Sequence, residues 1–215
     1  DSVLSVGDEA FRKCRKFKTL TLGKNATYGK YCFAECQWTA TEKAGINTVN
    51  IPRGVKAISD YMFYQCNVLK NLFIGDTVES IGKFAFRDAA FEYVILPESV
   101  KTIGEGAFVK TATLKALSVA NDNIVIDGPI FSTETGKNPK TSSEYNKAPL
   151  RIYCGKGSTT QQYINDYFTE GNLIYSAEFQ GTGGGYDGTK KDYVYPQDKG
   201  FGFINGYLCG PAGYY

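Results

Sequence analysis

Five phenylalanines, at positions 11, 33, 63, 86 and 108, follow one another at intervals of 22, 30, 23 and 22 residues. A fixed period constrains a chain more tightly than any local propensity, because every unit must fold alike and lean on its neighbours. The frame around each phenylalanine is shared: Val6-Gly-Asp-Glu-Ala-Phe11, Ile58-Ser-Asp-Tyr-Met-Phe63, Ile81-Gly-Lys-Phe-Ala-Phe86 and Ile103-Gly-Glu-Gly-Ala-Phe108, with Tyr28-Gly-Lys-Tyr-Cys-Phe33 as a looser copy. The unit is thus 22 or 23 residues, present five times. One copy is expanded between Cys36 and Ile46, where Gln37-Trp-Thr-Ala-Thr-Glu-Lys-Ala-Gly45 reads as a loop.

Each unit ends in a short alternating apolar run: Leu20/Leu22, Val49/Ile51, Leu72/Ile74, Val94/Leu96 and Leu117/Val119. Such alternation reads as a strand. A second apolar pair precedes each corner, at Val3/Val6, Val55/Ile58, Val78/Ile81 and Val100/Ile103. One coil therefore holds two extended edges and a tight corner. A single coil cannot hide its apolar edge, so the coils must stack, and stability becomes a sum over neighbouring interfaces.

Stacked parallel strands lie about 4.8 Å apart, which sets equivalent positions side by side. The columns are compatible with that: Lys56, Glu79 and Lys101 share one, Lys13 and Glu35 another, with Asp88 and Lys110 further along it. Exposed pairs contribute only about 0–1 kcal/mol each, so they speak for register and not for stability. Glycines 7, 29, 82 and 104, with Ser59 between them, mark a corner where the backbone is left-handed or closely packed. Cys14, Cys36 and Cys66 occupy one column and are expected inside, buried and reduced, with Cys32 in the small-residue column of Ala10, Ala85 and Ala107.

The whole pattern strongly resembles the BspA-like leucine-rich repeat family over residues 1 to about 120. Ile51-Pro52, Leu96-Pro97, the Ala-Phe pairs at 10–11, 85–86 and 107–108, and Cys14, Cys36 and Cys66 stand in the matching columns. Ala89 and Thr111 depart from the cysteine column, and a residue is missing before Val94. The resemblance implies a mostly β, α+β solenoid: a right-handed superhelix of stacked coils with parallel strands, short helical corners and a C-terminal cap. It implies a leucine-rich repeat domain over 1–177, with an interrupting hairpin at 121–149 and a closing strand and helix at 150–177. Residues 178–215 form a Gly/Tyr-rich tail.

Composition removes several chemistries. The chain has no histidine, which excludes Ser-His and Cys-His mechanisms and the commonest zinc ligand. A formal charge of +2 gives no footprint for nucleic acid or anionic lipid. No apolar run reaches the roughly 18–20 residues of a membrane helix, and the start at Asp1 suggests a mature or excised segment. Asn121-Asp-Asn123 with Asp127 lacks the ligand ladder of a calcium loop, and Gly181-Thr-Gly-Gly-Gly185 lacks the Lys-Ser/Thr of a phosphate cradle. Asn25-Ala-Thr27 fits the glycosylation acceptor pattern, which arises often by chance. No catalytic constellation, metal site or cofactor is expected. Cys154 and Cys209 are a disulfide candidate, stapling tail to cap in an oxidising compartment, with free thiols as the alternative.

Two functional readings follow. In the first, outward residues on the strands gather a partner-binding surface at Asn50, Asn71, Phe73, Tyr93 and Ile95, with Phe73, Tyr93 and Ile95 forming an exposed apolar patch. The alternative for these residues is that the C-terminal segment covers them, or that they are scattered surface apolars. The resemblance implies a secreted or cell-surface module that binds host, matrix or neighbouring-cell proteins. In the second reading, copies join head to tail through the first coil at Val3 and the tail aromatics Phe201, Phe203, Tyr207, Tyr214 and Tyr215.

Overall fold

A computed structural model describes residues 2–37, 44–131, 150–155, 157–167, 173–175, 202–204 and 207–209; residues 150, 151, 165–167 and those from 173 onward are described by their backbone alone. In chain order the first strands are β1 (Ser5–Val6), β2 (Thr19–Thr21), β3 (Thr27–Tyr28), β4 (Thr48–Ile51), β5 (Ala57–Ile58), β6 (Asn71–Ile74) and β7 (Ser80–Ile81). They continue with β8 (Tyr93–Leu96), β9 (Thr102–Ile103), β10 (Ala116–Val119), β11 (Val125–Ile126) and β12 (Leu150–Tyr153). Through β12 long and short strands alternate, which is the signature of a coil with two extended edges.

All pairing in the stack is parallel. The long edge runs β2-β4-β6 and then β8-β10-β12, extended by β13 (Leu173–Tyr175); the short edge runs β1-β3 and β5-β7-β9-β11. Register follows the repeat: Val49 lies beside Leu72, Val94 beside Leu117, and Ile58, Ile81 and Ile103 are in line. The chain is a parallel-strand β-solenoid.

The phenylalanines form its spine. Phe11, Phe33, Phe63, Phe86 and Phe108 stack nearly parallel with centroids 5.4, 5.8, 5.7 and 5.8 Å apart, and Phe131 follows at 6.2 Å, tilted by 34°. Phe63, Phe86, Phe108 and Phe131 are fully buried. Burying such a ring stabilises by about 1.5–3 kcal/mol, and offset stacking adds to it. Around the spine lie the inward residues of the strands and Cys32, Cys36 and Cys66.

The corners of the first five coils are successive turns with no helix, and two residues in each corner take positive φ. One column is Glu9, Tyr31, Tyr61, Phe84 and Gly106; the other is Lys13, Glu35, Gln65, Asp88 and Lys110. This geometry aims alternate N–H groups along the stack: Phe63 N donates to Ala85 O at 2.8 Å and Gln65 N to Arg87 O at 2.8 Å. A continuous helix would have turned those donors back on their own coil, which is why the helical corners expected from the sequence are absent. Of the corner glycines, Gly29, Gly82 and Gly104 act by close approach and not by left-handed backbone, while Gly7, in the first coil, faces open space. A Cβ on Gly82 would stand 2.5 Å from Asp60 N.

Residues 123–131, at the start of the segment expected as an interrupting hairpin at 121–149, begin a sixth coil; residues 132–149 lie outside those described. β11 pairs in parallel with β9, Val125 beside Thr102 and Ile126 beside Ile103. Ile130 and Phe131 then take the small-residue and phenylalanine columns, because their apolar spacing after Ile126 repeats that of Ala107 and Phe108 after Ile103. Gln37 and Gly45 pair in an antiparallel bridge at the base of the expansion, whose residues 38–43 lie outside those described.

Helix α1 (Thr159–Tyr167) closes the C-terminal end of the stack. Ser158 Oγ accepts from Gln161 N at 3.1 Å while Gln161 Oε1 accepts from Gly157 N, a reciprocal cap. Thr159 N donates to Asp122 O at 2.8 Å, and Ile130 N donates to the Tyr163 hydroxyl at 3.0 Å. The tail contributes an antiparallel pair, β14 (Gly202–Ile204) and β15 (Tyr207–Cys209).

Candidate recognition surface

Along the long edge, alternate side chains point away from the core and stand in two columns. The first reads Thr19, Thr48 and Asn71, the second Thr21, Asn50 and Phe73. Beyond β6 they continue as Tyr93, Ala116 and Arg151, and as Ile95, Ser118 and Tyr153. Of these twelve positions only Arg151, at the C-terminal end of its column, is charged, whereas ion pairs crowd the other faces of the stack.

The two halves of this face differ. In β4 and β6 the outward groups, Phe73 apart, are amides and hydroxyls, and those of the first column are tied across the coils: Asn71 Nδ2 donates to Thr48 Oγ1 at 3.1 Å and to Asn47 Oδ1 at 3.2 Å. Asn71 is exposed, while Asn50, Phe73 and Tyr93 are half-buried. Ile95 corrects the sequence reading. Expected in an exposed apolar patch, it is only 8 % exposed and packs with Ala116 between Tyr93 and Tyr153 in a small cluster of its own. Two tyrosine rings flank an isoleucine here, and they remove its surface from water.

A second aromatic array lies on the corner side and was not foreseen from sequence. Tyr31 and Tyr61 stack with centroids 4.4 Å apart, and Tyr61 and Phe84 at 5.2 Å. Arg12 lies 5.5 Å over Tyr31, and Arg87 lies 5.5 Å over Tyr64 and 5.9 Å over Phe84. The signal was present in the fourth position of the repeat frame, Glu9, Tyr31, Tyr61, Phe84 and Gly106. At Gly106 the array must stop, since a Cβ there would run into the Phe84 ring.

Two of the expected charge columns close in ion pairs. Glu79 receives Lys56 at 3.0 Å and Lys101 at 2.7 Å, and these two ammonium groups, Lys101 foremost, hold its carboxyl below the usual range. Lys13 meets Glu35 at 3.7 Å.

Cys32, Cys36 and Cys66 are buried free thiols, and Cys14 is a half-buried one. Cys36 Sγ donates to Phe11 O at 3.0 Å and Cys66 Sγ to Phe33 O at 3.2 Å. Burial pushes the Cys32 thiol up to about 11 and that of Cys36 up to about 12, and raises that of Cys66 further. Such thiols are poor nucleophiles and poor metal ligands. Among the described residues no group of three or more His, Cys, Asp or Glu is placed to hold a metal ion, and no helix is long and apolar enough to cross a membrane.

At the other end of the stack, the first coil leaves Val3 54 %, Leu4 75 % and Phe11 38 % exposed. Cys154 is buried. Phe203, Tyr207 and Cys209 lie in β14 and β15, of whose side chains nothing is described, and Phe201, Tyr214 and Tyr215 lie outside the described residues.

The model of the BspA-type leucine-rich repeat region matches residues 1–44 and 41–148, in six copies. The chain belongs to the BspA-type leucine-rich repeat family. Six copies agree with the sixth coil that opens at β11. No curated protein matches it. Among solved structures, it is similar to a T. pallidum leucine-rich repeat protein, 27 % identical, covering 54 % of this chain and 52 % of that one with a TM-score of 0.47. It is also similar to a Bacteroides ovatus leucine-rich repeat protein, 19 % identical over 71 % of this chain and 48 % of that one, TM-score 0.49. A third is a leucine-rich cell surface protein of Faecalibacterium prausnitzii, 26 % identical over 56 % and 39 %, TM-score 0.42. The chain spans about half the length of the first two of these or less of the third. BspA-type repeats serve generally as binding modules and not as enzymes.

Proposed function

We propose that this chain is a recognition module, secreted or held at a cell surface, that binds a protein partner through its outward strand face and performs no chemistry of its own. The observation that carries this reading is the pair of outward columns, uncharged from β2 through β10, in which Asn50 stands in register beside Phe73 and Asn71 and Tyr93 follow one another in the neighbouring column. Interfaces draw much of their affinity from a few buried aromatic positions, with charge depleted at the centre. Ile95 supports the surface from beneath, by fixing Tyr93.

The test is surface plasmon resonance of the chain against a panel of matrix and cell-surface proteins. Phe73→Ala with Asn71→Ala is expected to weaken the interaction at least tenfold while the circular dichroism spectrum stays unchanged. Full affinity in that folded double variant removes the strand face from the mechanism.

A second reading, self-association, is favoured by the exposed Val3, Leu4 and Phe11 of the first coil. Its tail contacts, at Phe201, Phe203, Tyr207, Tyr214 and Tyr215, are part of the proposal. Helix α1 covers the opposite end of the stack, so the tail would have to supply the complementary surface. Light scattering of the full chain and of a chain ending at residue 177 separates the readings: large oligomers that vanish on truncation favour assembly, and monomers in both favour recognition.

A further inference from the structure

An open groove, on columns distinct from the strand face, crosses the second to fifth coils, with about 370 Å³ of space along it. That lies within the roughly 300–1,000 Å³ of small-ligand sites. Its origin is legible in the repeat. The position after the cysteine column reads Arg15, Gln37, Asn67, Ala90 and Ala112, so side chains that fill this space in the first three coils shrink to methyl groups in the next two. Alanines form the floor, and Gln37 and Asn67 close one end. Gln37 Oε1 accepts from Asn67 N at 2.9 Å, which fixes the plane of that amide.

Along the wall each coil offers one polar side chain: Gln65, then Asp88, then Lys110. All three sit at positive φ, 55°, 63° and 58°. A backbone held in that sparsely populated region presets the spacing of what it carries. The polar groups therefore recur with the coil spacing, about 4.8 Å. Like-facing groups of an extended peptide recur every two residues, about 6.6–6.8 Å, and fall out of phase within two coils. A chain of pyranose units, each about as long as one coil spacing, stays in phase. Neighbouring carboxylate and ammonium groups leave the wall without net charge, and the amides both donate and accept, which suits hydroxyl groups.

We infer that this groove binds a neutral oligosaccharide of about three sugar units, laid along the solenoid axis across the second to fifth coils. The site is independent of the strand face, so either can fail alone.

The experiment is 1H–15N NMR of the full chain titrated with cellotriose, laminaritriose, maltotriose and mannotriose. At least one of them is expected to shift the side-chain amide signals of Gln37, Gln65 and Asn67 to saturation. Ala90→Arg puts into the fourth coil the residue that the first coil carries in the same column; it should fill the groove and weaken binding at least tenfold with the rest of the spectrum intact. Gln65→Ala leaves the groove open and should also weaken binding, which serves if the arginine variant fails to fold. The inference is overturned if no trisaccharide of the panel shifts these signals at millimolar concentration. It is equally overturned if the shifts persist in both variants, or if a neutral acetylated Gly-Ser tetrapeptide shifts them and the sugars do not.

Discussion

At the scale of single residues, position along the stack decides what a side chain contributes. Phe86 has a ring on either side of it and no exposure, so Phe86→Ala is expected to cost about 3–5 kcal/mol in urea unfolding. Phe11, open on one side, should cost less than half as much; equal costs would mean that the spine is not continuous. Gly82→Ala should cost about 1–3 kcal/mol, because the new methyl meets the main chain of Asp60 and the two coils must part. The thiols add a pH dependence. Cys36 and Cys66 are held neutral in the fold, so their contribution is complete below the unfolded thiol range and is lost as pH rises from about 8.5 toward about 12. Stability of the wild type should fall across that window more steeply than that of a Cys36→Ala, Cys66→Ala variant, and identical slopes would contradict buried thiols. The spine, the small-residue column and the inward cysteines were readable in the sequence because each recurs with the period. What was not readable is the conformation that carries them: Tyr31, Tyr61 and Phe84 sit at positive φ, where no propensity scale places an aromatic residue.

At the scale of elements, the legible part is whatever repeats, and the rest depends on neighbours the repeat does not encode. Strand positions and their register followed from alternation and charge columns. Residues 123–131 did not read as a coil because they lack the glycine and alanine of the frame, yet Ile126, Ile130 and Phe131 still meet the columns of the fifth coil. Ile95 failed for a related reason. Periodicity tells which side of a strand a residue faces, but not that Tyr93 and Tyr153 will enclose it there. The cap makes a checkable claim of its own. Tyr163→Phe leaves the buried Ile130 N–H without its acceptor, and should lower stability by about 1–3 kcal/mol and speed hydrogen exchange at Ile130 in particular. An unchanged exchange rate at that amide would separate α1 from the last coil.

At the scale of the whole molecule, a stack of coils has neighbours only above and below, so its order is one-dimensional and each interface is tested by the next. The surface columns, the groove and the closed C-terminal end all take their positions from that order. The most direct measurement is a nuclear Overhauser spectrum of the chain labelled at phenylalanine alone. Each spine ring should show cross-peaks to the rings one coil away, in the sequence Phe11, Phe33, Phe63, Phe86, Phe108 and Phe131, and to no spine ring two coils away. Cross-peaks that skip a coil, or a break anywhere between Phe33 and Phe108, would contradict the stack.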